Sequence, residues 1–254
     1  MDDPLSQVEQ LAADRTLGAA ETAEAAARVL AGISREGLPD AVEVLLRGHP
    51  SMAPMWRLAD VVLRAKDHAR ASEAFVSSAS DDVLAAATLA PNLPGTLLTI
   101  SSSSSVAEAI RIRRPRAVVC MASQPGGEGL RMAGTVSAWA EASVMDDDQA
   151  IRTIPAEAVL VGADAVTPTA VVNKVRTADL AEAARTRGIP CYAIAGSGKF
   201  ISIAVPVVPP FEATRIAVFA GIATAAGLLT PEAAAEQASR VRLHPALAML
   251  AERL

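Results

Sequence analysis

The stretch Val159-Leu160-Val161-Gly162-Ala163-Asp164 decides how the rest of the chain is read. Three aliphatic residues follow Ala158 with no alternation of polar and apolar positions. A strand of that kind is buried on both faces, as in a parallel sheet covered by helices. Ala158 to Gly162 is therefore expected as a strand, with Asp164 at its carboxyl end. In open parallel sheets that end is where ligands bind.

Outward from this strand, others are expected at Thr96 to Ile100, Arg116 to Met121, Ala142 to Met145 and Pro190 to Ile194. Helices are expected between them at Val106 to Arg113, Glu128 to Trp139 and Asn173 to Thr186, with a helix start at Asp146-Asp147-Asp148. Strands alternating with helical stretches imply βαβ units and a parallel sheet. Upstream, only helical patterns occur: Pro4 to Ala13 with Asp3 as N-cap, Ala19 to Ile33, Pro39 to about Arg47, and a long one from Met55 to about Ser78. Pro231 to Leu254 reads as helical again. The expected fold class is α/β: a helical N-terminal domain over residues 1–80, then a parallel sheet flanked by helices over residues 81–254.

Composition agrees. Hydrophobic residues make up 51% of the 254 positions and aromatic ones 3%, so the core is built from small and medium aliphatic groups. That suits helices and buried parallel strands better than a β-sandwich. A net charge of −5 gives no basic footprint for nucleic acid. The longest apolar run, Ile216 to Leu229, is shorter than the roughly 20 residues a bilayer requires, and Met1-Asp2-Asp3-Pro4 does not resemble a secretory leader. A cytoplasmic protein is expected. Cys120 and Cys191 sit in separate apolar runs and read as buried strand residues, without metal-type spacing. His49, His68 and His244 are widely spaced, so no metal site is expected. The absence of a strand-borne G-x-G-x-x-G or a Walker loop removes support for a dinucleotide or NTP, and no cofactor is expected.

Three loops follow expected strands. Ser101 to Ser105 leads into a helix, where free N–H groups favour an anion; the same serines could form an ordinary polar turn. Ala122 to Gly129 carries Gly126, Gly127 and Gly129, with Gln124 and Glu128 able to bond sugar hydroxyls; an ordinary βα loop has the same composition. Gly162-Ala163-Asp164 is followed by Asn173-Lys174, read as the start of the next helix. A carboxyl held at a strand end against apolar surroundings can have a raised pKa and exchange a proton near neutrality. A helix cap or a strand-end salt bridge would equally account for Asp164.

These segments resemble one known family. Val159-Leu160-Val161-Gly162-Ala163-Asp164-Ala165-Val166 and Val172-Asn173-Lys174-Val175-Arg176-Thr177 are similar to its V-L-V-G-A-D-x-[VI] and N-K-x-G-T signatures. Gly188-Ile189-Pro190-Cys191-Tyr192, Phe211-Glu212-Ala213-Thr214 and Gly227-Leu228-Leu229-Thr230-Pro231 resemble later segments. Weaker matches lie at Leu97-Leu98-Thr99-Ile100-Ser101, Ser123-Gln124-Pro125 with Glu128-Gly129, and Arg47-Gly48-His49-Pro50. The family joins the alpha, beta and delta subunits of eukaryotic initiation factor two-B to methylthioribose-1-phosphate and ribose-1,5-bisphosphate isomerases. The resemblance implies a Rossmann-like second domain and a homodimer.

For the site, the resemblance implies Asp164 as acid/base and Ser101 at the position of a catalytic cysteine. Asn173 and Lys174 would bind substrate, Arg47, in a substrate loop with Gly48, would hold phosphate or sugar, and Glu128 would hold a hydroxyl. The implied ligand is a small phosphorylated sugar or a nucleotide. The chain departs from the family pattern at Ser101, a hydroxyl far less acidic than a thiol, and at Gln124, where an arginine is usual. Two functions are therefore expected: an aldose–ketose isomerase for a phosphorylated ribose-type substrate, or a non-catalytic regulatory protein binding such a ligand.

Overall fold

The computed structural model describes residues 4–92 and 95–254; the expected N-cap Asp3 lies outside them. Five helices come first: α1 (Pro4–Ala13), α2 (Ala19–Ala31), α3 (Leu38–Gly48), α4 (Ala53–Arg64) and α5 (His68–Thr88). α2 starts where the Glu21 carboxylate reaches back to the Gly18 N–H at 2.9 Å, which satisfies one of the helix's orphan donors. α3 and α4 each carry a proline in the first turn, where its missing N–H costs nothing. Their apolar faces bury Leu45, Leu46, Trp56 and Leu58 at 1% exposure or less. The indole of Trp56 donates to the Pro50 carbonyl at 2.8 Å.

The single helix expected from Met55 to Ser78 is in fact two, α4 and α5. The chain turns extended at Ala65, and Asp67 caps the new helix by accepting the Arg70 N–H. Arg35 stabilises the break. Its guanidinium donates to the carbonyls of Val62, Leu63 and Ala65, which the end of α4 leaves without helical partners. The expected boundary between residues 80 and 81 falls inside α5.

The α/β part runs β1 (Thr96–Thr99), α6 (Ser104–Arg113), β2 (Ala117–Met121), α7 (Glu128–Val136), β3 (Glu141–Met145), α8 (Asp147–Thr153) and β4 (Ala158–Val161). It continues with β5 (Ala165–Val166), β6 (Ala170–Lys174), α9 (Thr177–Thr186), β7 (Cys191–Ile194) and a 3-10 turn at Ser197–Lys199. Then come β8 (Phe211–Arg215), β9 (Gly221–Thr224), β10 (Gly227–Leu229), α10 (Pro231–Ser239) and α11 (Pro245–Ala251). Seven strands form the main sheet in the order β10-β9-β7-β4-β1-β2-β3, parallel except for β10. The fold is thus the expected α/β class, with a mostly parallel sheet flanked by helices.

The continuous apolar strand β4 behaves as its composition requires. Val159 and Val161 join one core with Leu98 and Val119, while Ala158 and Leu160 join the other with Leu97, Ile110 and Val118. Each of the valine, leucine and isoleucine side chains taken out of water contributes about 1.5–3 kcal/mol. Cys120 and Cys191 are buried on β2 and β7, as read from the sequence. Burial pushes the Cys120 thiol up to about 12 and the Cys191 thiol higher still.

One further expectation needs correction. Asn173 and Lys174 do not begin a helix; they end β6, and α9 starts at Thr177. The apolar run from Ile216 to Leu229 contains β9 and β10. β6 belongs to a second sheet, antiparallel and three-stranded, in the order β5-β6-β8. This sheet lies against the helical layer, since Ala165 and Val172 share a core with Leu45, Trp56 and Leu58.

Candidate functional site

The strand order sets the place. From β1 the chain steps outward through β2 to β3, then returns to lay β4 on the other side of β1 and goes on to β7 and β9. The direction of winding reverses between β1 and β4. Beyond the carboxyl ends of two such strands a crevice opens in doubly wound sheets. Ser101 follows β1 and Gly162-Ala163-Asp164 follows β4, so both flank this point. The approach is close: a Cβ on Gly162 would stand 2.7 Å from the Ser103 hydroxyl and 3.9 Å from Asn173 Oδ1. Any side chain at 162 would push the serine loop away.

Asp164 is held from both sides by its backbone. Its N–H donates to the Val172 carbonyl at 2.7 Å, and its own carbonyl accepts from the Ala53 N–H at 2.9 Å. The helical layer therefore touches the site through the start of α4. Burial raises the carboxyl's pKa, and the nearby Lys199 ammonium partly offsets that. Lys199 is depressed in turn by burial and partly restored by Asp164 and by Glu21 of α2. The backbone explains the proximity. Phe200 bridges Val166 in parallel fashion, and the Ile201 N–H donates to the Val166 carbonyl at 3.0 Å.

Lys199 was not among the residues singled out from the sequence. The signal existed: it is one of three lysines in the chain and follows a strand, β7, at its carboxyl end. The strand-end rule, applied to β7 as well as to β4, would have found it.

Lys174 and Asn173 end β6, and both are buried. Lys174 Nζ lies 2.7 Å from Oε1 of Glu128, the first residue of α7. Asn173 Nδ2 donates to Thr177 Oγ1 at 3.1 Å, and that hydroxyl donates to the Lys174 carbonyl at 2.6 Å. Ser101 is half-buried, and its N–H donates to Ser123 Oγ at 2.7 Å. Gln124 is exposed at the rim. The fold thus places Asp164, Lys199, Asn173, Lys174 and Ser101 at or just beyond the carboxyl ends of β4, β7, β6 and β1, with Glu128 at the head of α7 paired to Lys174.

Arg47 and Gly48 are not part of this arrangement. The Arg47 guanidinium pairs with Glu43 of its own helix at 2.7 Å and is about half exposed. Gly48 backs onto α1, where a Cβ would meet the Ala12 carbonyl oxygen at 2.3 Å. Its glycine serves helix packing. The next residue, His49, is buried with Nε2 2.7 Å from the Leu11 carbonyl.

Two hollows lie elsewhere: one of about 210 Å³ between α2 and α5, and one of about 200 Å³ at the opposite end of the sheet around Gly95, Glu157 and Pro190. Neither gathers acid, amine and amide groups as the switch-point crevice does. Among the described residues, no group of three or more histidine, cysteine or acidic side chains converges as metal ligands. No helix among them is long and apolar enough to cross a membrane.

Residues 7–205 match the Initiation factor 2 subunit family. The chain belongs to that family. Among solved structures, the family fold recurs in a Pyrococcus horikoshii translation initiation factor eIF-2B. It is 24% identical, with a TM-score of 0.83 over 91% of this chain and 98% of that one. The tetrameric eIF2B-beta2-delta2 complex from C. thermophilum matches at 15% identity and TM-score 0.76, over 91% and 92% of the two chains. A 5-methylthioribose 1-phosphate isomerase from Pyrococcus horikoshii matches at 20% and 0.63, over 93% and 88%. At these identities the likeness establishes the fold. Comparison with curated proteins gives no match. The Initiation factor 2 subunit fold thus accommodates both translation subunits and a sugar-phosphate isomerase, and the choice between them falls to the chemistry of the crevice.

Proposed function

We propose that this protein binds a small phosphorylated sugar of the ribose type in the switch-point crevice and interconverts its aldose and ketose forms. The observation that carries the reading is Asp164: a carboxyl at the carboxyl end of a fully buried strand, raised in pKa by burial, with the Lys199 ammonium beside it. Such a group can take the proton from the carbon next to a carbonyl and return it to the neighbouring carbon. Lys174, Lys199 and Asn173 are suited to stabilise the negative oxygen that develops meanwhile. Glu128 is suited to hold a hydroxyl. The route consumes no cofactor. A neighbour described as a 5-methylthioribose 1-phosphate isomerase supports the assignment.

The test is turnover of a panel of pentose phosphates followed by carbon NMR. Asp164→Asn is expected to lower the rate by about 10²–10⁴-fold, the usual worth of a positioned acid/base. Unchanged turnover in that variant would overturn the assignment.

A second reading is favoured by Ser101. Its hydrogen bond runs from its N–H to another serine, and no titratable group pairs with its side chain among the described residues. A protein lacking an activated nucleophile there would bind a sugar phosphate or nucleotide without turning it over, as a regulatory subunit does. Tight binding by calorimetry with no product by NMR would select this reading. In either case we place the protein in the cytoplasm as a homodimer, which sedimentation at micromolar concentration checks. A neighbour described as a tetrameric eIF2B-beta2-delta2 complex supports oligomeric assembly.

A further inference from the structure

The acidic run Asp146-Asp147-Asp148 divides into three separate tasks. Asp146 caps α8 by accepting the Gln149 N–H at 3.0 Å. Asp148 pairs with Arg176. Asp147, buried at 8% exposure, turns away from its own helix toward the loop after β2. Its Oδ1 accepts the Ser123 N–H at 2.7 Å and its Oδ2 the Gln124 N–H at 2.8 Å. The cap of α8 is already supplied by its neighbour, so the Asp147 carboxylate serves the loop.

Ser123 passes this constraint on. Buried at 1% exposure, its hydroxyl donates to the Met121 carbonyl at 2.9 Å and accepts the Ser101 N–H at 2.7 Å. Both serines hold left-handed backbone, φ 65° at Ser123 and φ 66° at Ser101. Residues with a Cβ adopt that region at a cost, so surrounding contacts must hold them there. The loop that Asp147 clamps then runs directly into Glu128, which holds Lys174. One carboxylate at the end of β3 thereby reaches Ser101 beyond β1 and Glu128 at the head of α7.

We propose that Asp147 is a positioning residue for the crevice: through Ser123 it fixes Ser101, and through the 123–128 loop it fixes Glu128, without touching the ligand. The inference rests on the crevice being the ligand site. The carboxylate is specifically required. Two convergent N–H donors need two acceptor oxygens, whereas an asparagine would offer one oxygen and turn an NH₂ group toward the second donor.

The test compares wild type, Asp147→Asn, Ser123→Ala and the cap control Asp146→Asn by amide hydrogen exchange and by calorimetric titration with ribose 5-phosphate. Asp147→Asn and Ser123→Ala are each expected to speed exchange at Ser101 by about tenfold or more, the equivalent of one lost hydrogen bond. Leu97 and Leu98 in β1 should be unchanged. Asp147→Asn is expected to weaken the sugar phosphate by about tenfold, and Asp146→Asn to leave both readouts as in wild type. The proposal is overturned if Ser101 exchange is unaltered in Asp147→Asn and Ser123→Ala, or if Asp146→Asn produces the same losses. If wild type binds no sugar phosphate, the proposed ligand fails while the exchange data still decide the clamp. If Asp147→Asn does not fold, Asp147→Glu, whose longer stem displaces both acceptor oxygens, takes its place: faster exchange at Ser101 supports the proposal and unaltered exchange overturns it.

Discussion

Lys174 Nζ stands 2.7 Å from Glu128 Oε1, tying the last residue of β6 to the first residue of α7. The contact joins the small antiparallel sheet to a helix of the main sheet, across residues 46 positions apart. It is not a surface ion pair, since the Lys174 side chain is 4% exposed and that of Glu128 23%. The other carboxylate oxygen of Glu128 is buried without a hydrogen-bond partner. Under the proposed function, that oxygen is the acceptor for a ligand hydroxyl.

Breaking the pair from one side leaves an uncompensated charge. Lys174→Met is expected to cost on the order of 3 kcal/mol in urea unfolding. The Lys174→Met, Glu128→Gln double variant should recover about 1–3 kcal/mol relative to the sum of the single losses. A cost for Lys174→Met below about 0.5 kcal/mol, the scale of exposed pairs, would mean that the pair is solvated.

Asp164 gives a pH signature. Its folded pKa is raised by burial, so the native state keeps its proton at pH values where the unfolded chain has released it. Between the unfolded carboxyl pKa of about 3.9 and the raised folded one, the native state binds more protons, and stability falls as pH rises. Asp164→Asn removes this dependence. The variant's melting temperature should gain on wild type as pH rises from about 4, and the gain should level off above the folded pKa. A gap that stays constant with pH would show that Asp164 titrates normally.

The thiols give a simpler check. With Cys120 pushed up to about 12 and Cys191 higher still, both are protonated at pH 8 and buried. Iodoacetamide is expected to label neither in the native protein and both after unfolding, as read by mass spectrometry. Rapid native labelling at either position would contradict the burial of β2 or β7.

Much of this arrangement is legible in the chain because its causes are local. The run Ala158 to Val161 announces a strand buried on both faces, and the strand-end position of Asp164 follows from it. Serines before α6 and the acidic start of α8 mark helix caps within one turn. Asn173-Lys174 misleads because a polar pair followed by an alanine-rich segment suits a helix start. The pairing that makes these residues a strand lies with Glu212 and Phe211 of β8, almost forty residues on. The break after α4 is hidden for a similar reason, since the guanidinium that stabilises it belongs to Arg35. Non-local partners leave no periodicity in a sequence window.

Arg47 and Lys199 separate the resemblance from the geometry. The resemblance assigns substrate contact to Arg47, yet its guanidinium is engaged by Glu43, with the two side chains 53% and 38% exposed. An exposed i,i+4 pair contributes about 0.3–0.5 kcal/mol, so Arg47→Ala should hardly change stability. It should also leave the affinity for ribose 5-phosphate within about twofold, well under the loss of one hydrogen bond. Lys199 is half-buried beside Asp164, and under the proposed function it meets an anionic oxygen. Lys199→Met should weaken the same ligand by about tenfold or more, the worth of one charge-assisted hydrogen bond. Calorimetric titration of both variants decides between them. If Arg47→Ala carries the larger loss, the end of α3 must swing into the crevice when the ligand binds.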